Sequence, residues 1–195
     1  MNLDQSGGYA SALALSNAVG LRPFLTLALT ALAVHLRWLH PSVAYAWMGE
    51  GNVCIILGVL AVLEFLADKV PAVDNVLHAM HFATKPIAAI LVSGGAMAAG
   101  DPTPAAYATM AGSALNSLGV HGLVATTRAA STSFTGGIAN PFVSLLEDVL
   151  TVGAVAVAAF LPFVGAAIAV LALILAAIML PRIVAVLRRR RAGAV

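Results

Sequence analysis

Val164-Gly-Ala-Ala-Ile-Ala-Val-Leu-Ala-Leu-Ile-Leu-Ala-Ala-Ile-Met-Leu-Pro181 contains no charged residue. As a helix it approaches the length needed to cross a bilayer, where about 20 residues span about 30 Å of hydrocarbon. Apolar blocks of the same kind lie at 9–36, 53–67, 86–99, 105–127 and 143–161. Of the 195 residues, 61% are hydrophobic and 9% charged, against roughly 25% charged in an average soluble domain. Eight acids and ten Lys plus Arg cannot coat a soluble core of this size. The expectation is therefore an all-α polytopic membrane bundle of about six spans, folded as one domain. The block at 86–99 is short and reads as thin or re-entrant unless its helix begins within 78–85. Met1 to Gly8 carries Asp4 and no Lys or Arg, so the first block does not read as a cleavable signal peptide.

Basic residues set the expected orientation. Lys69, Lys85, Arg128, Arg182 and the run Arg188, Arg189, Arg190, Arg191 follow spans two, four and six, whereas Arg37 lies on the opposite side. The positive-inside rule then puts both termini in the cytoplasm of an inner (plasma) membrane, with the terminal arginines also contacting anionic lipid. Three spans entering from each face is the geometry of an inverted repeat, with halves 1–99 and 105–181 and a basic tail 182–195. Asn17-Ala-Val-Gly20-Leu-Arg22-Pro23 aligns without gaps on Asn116-Ser-Leu-Gly119-Val-His121-Gly122, and Pro41 matches Pro141 at nearly the same offset. Such a repeat predicts that Gly20 and Gly119 let spans one and four approach closely. It also places Asn17 and Asn116 at a shared crossing near the protein centre.

The charged residues inside apolar blocks are the candidate site. Arg22 lies well within the first block, where a charge costs about 2.5–3.5 kcal/mol or more, and Pro23 predicts a kink or break beside it. Either Arg22 faces inward onto a carboxylate, with Glu64 or Glu147 expected, or the span starts near Leu21 and the side chain snorkels. Glu64 and Asp68 share a helix face near the inner end of span two, and Glu147 and Asp148 open span five. Converging carboxylates bind a cation, share a proton, or pair with Lys69, Arg22 or Arg128. Asn17, Asn116 and His121 join this set through the repeat. Asp74, His78 and His81 have a one-face spacing that would suit a metal. The interleaved Val73, Val76, Leu77 and Met80 also make 72–83 an amphipathic surface helix, with Asp74 as its candidate cap after Pro71. The hydroxyl-rich stretch 131–141 reads as a flexible cytoplasmic loop, either offering oxygens beside Glu147 or capping span five through Asn140 before Pro141. Cys54 sits in an apolar run and is expected to be inert.

No nucleophile motif, phosphate loop, dinucleotide fingerprint or CxxC pair is present, so no enzymatic activity, cofactor or nucleic-acid partner is expected. Leu63-Glu64-Phe-Leu-Ala-Asp68-Lys69-Val-Pro71-Ala-Val-Asp74, Lys85-Pro86 and Asn140-Pro141-Phe-Val-Ser-Leu-Leu-Glu147-Asp148 resemble a bacterial membrane family catalogued as domain of unknown function 4126. The resemblance covers nearly the whole chain and implies a multi-pass integral membrane protein, without an activity attached. His78 and His81 are not part of that pattern. Three functional readings follow: a small transporter or channel for a cation or protons with Glu64 and Glu147 as central acids, a non-transporting scaffold or lipid-binding protein, or an anion or small-solute transporter using Arg22. The bilayer, a small ion or solute, anionic lipid and a second copy of the chain are the expected partners.

Overall fold

The computed structural model describes residues 5–69, 71–97 and 103–192. Within them the chain is helical: α1 (Gln5–Leu21), α2 (Pro23–His35), a 3-10 helix (Val43–Gly49), α3 (Gly51–Ala67), α4 (Pro71–Ala96), α5 (Pro104–Thr135), α6 (Asn140–Phe160) and α7 (Pro162–Ala192). Prolines place the breaks. Pro23 lacks an N–H and pushes the preceding residue out of the helical region, so Arg22 is extended at φ −133°, ψ 95°, and the first block becomes two helices. Leu161 before Pro162 separates α6 from α7 in the same way. Thr103 caps α5 by accepting the Ala106 N–H at 3.2 Å, and Gly136 ends that helix in the left-handed region at φ 61°.

Several sequence expectations change here. The short third span belongs to α4, which starts at Pro71, so 72–83 is the first half of one long helix rather than a separate surface helix. The stretch 131–141 is no flexible loop. α5 runs through Thr135 and α6 begins at Asn140, whose Nδ2 donates to Thr132 Oγ1 at 3.0 Å instead of capping α6. Hydroxyls of this segment bond nearby backbone, as Ser133 and Thr135 do to Ala129 and Ser131.

α1 is the central helix, packing on α4, α5, α6 and α7. Its Ala12, Ala14, Ala18 and Val19 are buried, and small side chains let neighbours come close. A Cβ on Gly20 would stand 2.5 Å from Val120 Cβ, so Gly20 sets the α1–α5 approach. Gly119 is a correction: it faces Ala176 of α7, not α1. Equally, α5 continues unbroken past His121 and Gly122, so the aligned motifs do not produce the same break.

Polar side chains point inward and large apolar ones outward, the reverse of a water-soluble protein. Arg22, Glu64, Asp68, His81, Lys85 and Glu147 are buried, whereas Ile55, Phe142 and Phe160 are 70%, 73% and 74% exposed. Among the described residues, α6 and the Pro162–Ile183 part of α7 are long and apolar enough to cross a membrane. The 3-10 helix and α3, bent by 65°, form a third candidate if taken as one span. This is fewer than the six blocks suggest. α1 and α2 are each short once broken, while α4 and α5 are diluted by inward polar residues such as Lys85, Asn116 and His121.

Candidate functional site: a buried ionic cluster at a broken helix

Breaking a helix inside a protein exposes the carbonyls of one stub and the N–H groups of the next, and both ends need partners of opposite charge. Here they have them. Glu64 is the one buried residue of α3, and its Oε2 accepts the N–H groups of Phe24 and Leu25, each at 3.2 Å, in the first turn of α2. Lys85 of α4 is 1% exposed and donates to the Gly20 carbonyl at 2.7 Å, at the C-terminal end of α1. An anion therefore sits on the positive end of one half-helix and a cation on the negative end of the other. Lys85 Nζ also lies 3.0 Å from His121 Nδ1, a geometry that suits an ammonium donating to an unprotonated ring nitrogen. His81 Nε2 is 3.2 Å from Glu64 Oε1, and the His81 and His121 rings stand edge to face with centroids 6.3 Å apart.

Arg22, between the two half-helices, is 2% exposed, which excludes the snorkelling alternative. Of its two expected partners Glu147 is within ion-pair distance and Glu64 is not, and two other carboxylates stand closer. The guanidinium pairs with Asp68 through Nη1 and with Asp148 through Nε at 2.8 Å. Glu147 is 3.7 Å from Nη2, and Glu64 is taken by α2. Nη2 donates to the Ser144 hydroxyl at 2.9 Å and to its carbonyl at 3.1 Å. Ser144 Oγ also accepts from Lys69 at 2.7 Å. Arg128 holds Glu147 bidentately, Nε to Oε1 at 2.9 Å and Nη2 to Oε2 at 2.7 Å, with Asp68 at 3.6 Å. Three basic residues, Arg22, Lys69 and Arg128, thus meet three acidic ones, Asp68, Glu147 and Asp148, while Lys85 and Glu64 are held at the two ends of the break. Pairing on this scale is what buried charges require.

Asn17 and Asn116 meet as expected where α1 crosses α5. Asn116 Nδ2 donates to Asn17 Oδ1 at 3.0 Å and to Ser16 Oγ at 2.7 Å, and Asn17 Nδ2 reaches the Gly165 carbonyl at 3.5 Å. Their amides tie helices together; Lys85, not an asparagine, takes the backbone carbonyl at the break. Among the described residues no group of three or more His, Cys, Asp or Glu forms a metal-holding set. His81 turns toward Glu64, whereas the side chains of Asp74, His78 and Arg188 to Arg191 lie outside the described residues. Lys85 and Ser144 are the residues that sequence reasoning missed. Lys85 reads as an inner-side charge, although its place four residues after His81 on an apolar helix was a usable signal.

A cavity of about 490 Å³ reaches this cluster from the side. Arg22, Glu64 and Asp148 line its deep end, and Val62 and Phe65 of α3 face Val149 and Val152 of α6 along its walls. These two helices do not pack against each other, so the cavity opens between them. Behind it, the space enclosed by Asp68, His81, Lys85, Arg128 and Glu147 is about 10 Å³, at most a single water.

No curated protein and no solved structure matches the chain. The family described as "Domain of unknown function (DUF4126)" matches over residues 9–182, a range that contains the half-helix break and every member of the ionic cluster. The chain belongs to that family of proteins with a domain of unknown function, DUF4126.

Proposed function

We propose that the chain is a multi-pass inner-membrane protein that moves a cation or protons across the bilayer, as a small secondary transporter or channel and not as an enzyme. The observation that carries this reading is Glu64: a buried carboxylate on the N-terminus of a broken helix, at the wall of a cavity. Ionisable groups at membrane depth are costly, and discontinuous helices there mark ion and substrate sites. In this arrangement six crossings are made by α1 with α2, α3, α4, α5, α6 and α7, with both termini cytoplasmic. The Asn17–Asn116 crossing supports two inverted halves. The acids at the centre of the reading become Glu64 and Asp148, because both line the cavity, whereas Glu147 is held bidentately by Arg128.

Protein reconstituted in liposomes is expected to carry proton, Na⁺, K⁺ or Ca²⁺ flux, and Glu64→Gln is expected to abolish it while the protein stays folded. Undiminished flux in Glu64→Gln, or no flux of any of these ions in the wild type, would overturn the transport reading. The second reading, a scaffold or lipid-binding protein, is favoured by the Arg128–Glu147 and Arg22–Asp68 pairs, which satisfy most of the buried charge. It predicts an inert reconstituted protein. An anion site at Arg22 has less support, since that guanidinium is already engaged by two carboxylates and Ser144.

A further inference from the structure

We infer that the cavity between α3 and α6 is a binding site for a lipophilic organic cation, entered sideways from the hydrocarbon of the bilayer. Its size, about 490 Å³, falls in the range of small-molecule pockets. Its walls change character with depth. Val62, Phe65, Val149 and Val152 at the mouth are 57%, 44%, 62% and 52% exposed, while Glu64 and Arg22 at the floor are 3% and 2% exposed. A ligand that fits this gradient is amphiphilic, with an apolar body and a charged centre.

The sign of that charge follows from the floor. Two carboxylates, Glu64 and Asp148, and one guanidinium line the cavity, and the guanidinium is turned to Asp68, Asp148 and Ser144. Glu64 Oε1 is met by His81 Nε2 at 3.2 Å, whereas Asp148 Oδ2 accepts no hydrogen bond among the described residues and has only the Lys69 ammonium near it, at 3.9 Å. A carboxylate oxygen that accepts no hydrogen bond beside an apolar wall favours a positive ligand. The chain itself seats an ammonium at the edge: Lys69 Nζ stands 4.4 Å above the centre of the Phe65 ring and 3.9 Å from Asp148 Oδ2. Phe65 and Asp148 both line the cavity, so ring and carboxylate together already hold one cation. An incoming organic cation takes over these contacts as the flexible lysine moves aside.

The inference names a substrate class for the proposed transport and rests on that reading for movement of the ligand, not for its binding. The test is titration of tetraphenylphosphonium into the full chain in lipid nanodiscs, followed by calorimetry, with tetraphenylborate as the anionic probe of matched shape. Saturable binding of the cation and none of the anion is expected. Glu64→Gln and Asp148→Asn should each weaken it at least about tenfold. Val62→Trp, which fills the mouth without touching a charge, should do the same, and Lys69→Met should tighten it by removing the internal competitor. Equal uptake of both probes, or cation binding indifferent to Val62→Trp, overturns the site. Glu64-dependent proton or metal-ion flux without tetraphenylphosphonium binding overturns this inference and leaves the transport reading standing. Site-specific binding without flux of any ion does the opposite.

Discussion

Arg22 shows what a single residue can and cannot reveal in a sequence. Its depth in an apolar block and the adjacent Pro23 announce a compensated charge at a helix break, and both are found. Of the carboxylates around it Glu147 is legible in the sequence, whereas Asp68 and Asp148, the closer two, are not. Glu64 and Asp68 lie four apart on one helix, and which of them meets Arg22 depends on how α3 is rotated against α2. The N–H groups freed at Phe24 and Leu25 take Glu64, leaving Asp68 for the guanidinium. Removing Arg22 should therefore strand Asp68 and Asp148 together. Arg22→Leu is expected to lower stability by about 3–5 kcal/mol, the usual cost of orphaning one side of a buried pair. Arg22→Lys should recover part of this, because an ammonium cannot serve two carboxylates and Ser144 with a planar fork. Unfolding of the three proteins in nanodiscs measures it, and equal stability of Arg22→Leu and wild type would show that the cluster does not depend on this charge.

Elements are shaped by how their ends are satisfied. α2 has no side-chain cap of its own, since its N-cap is Arg22, and its first turn is instead completed by Glu64 from a helix far along the chain. α3 in turn packs mainly on α2: Glu64 is its one buried residue, and Ile55, Ile56 and Val59 face outward. Loss of the carboxylate should loosen both helices. Glu64→Ala is expected to cost about 1 kcal/mol of N-terminal capping, with a further penalty for the unpaired dipole, and to speed amide exchange at Phe24 and Leu25 several-fold. Glu64→Gln keeps an acceptor oxygen and should have a smaller effect. Hydrogen exchange read at those two amides distinguishes a tertiary cap from an incidental contact, since unchanged protection in Glu64→Ala would mean that α2 holds its own first turn.

In the whole molecule, the basic residues divide between the buried cluster and the ends of helices. Lys69, Lys85 and Arg128 belong to the ionic cluster, so the basic residues that remain for a positive-inside argument are Arg37, after α2, and Arg182 with Arg188 to Arg191, in the C-terminal part of α7. Topology is open to direct measurement. Cys54 is the single cysteine, so a Cys54→Ser background accepts new ones cleanly. Val43, at the start of the 3-10 helix, and Ile138, in the connection before α6, are 92% and 80% exposed. With six crossings, Val43→Cys should react with an impermeant maleimide from outside and Ile138→Cys from the cytoplasmic side. Labelling of both from the same face would contradict the six-span arrangement.

The helical class, the apolar surface, the break at Arg22–Pro23 and the meeting of Asn17 with Asn116 are all legible in the residues alone. Each of these follows from local chemistry: composition sets the solvent, proline removes a donor, and buried amides next to small residues seek each other at close crossings. Tertiary structure alone decided the pairing of the charges. Lys85 acquires its role only when α4 is laid against the open end of α1, and Ser144 only when α6 brings its hydroxyl between Arg22 and Lys69. Four cations and four anions can be matched in many ways, and the match is set by which backbone groups the break leaves open and where each helix must stand to reach them.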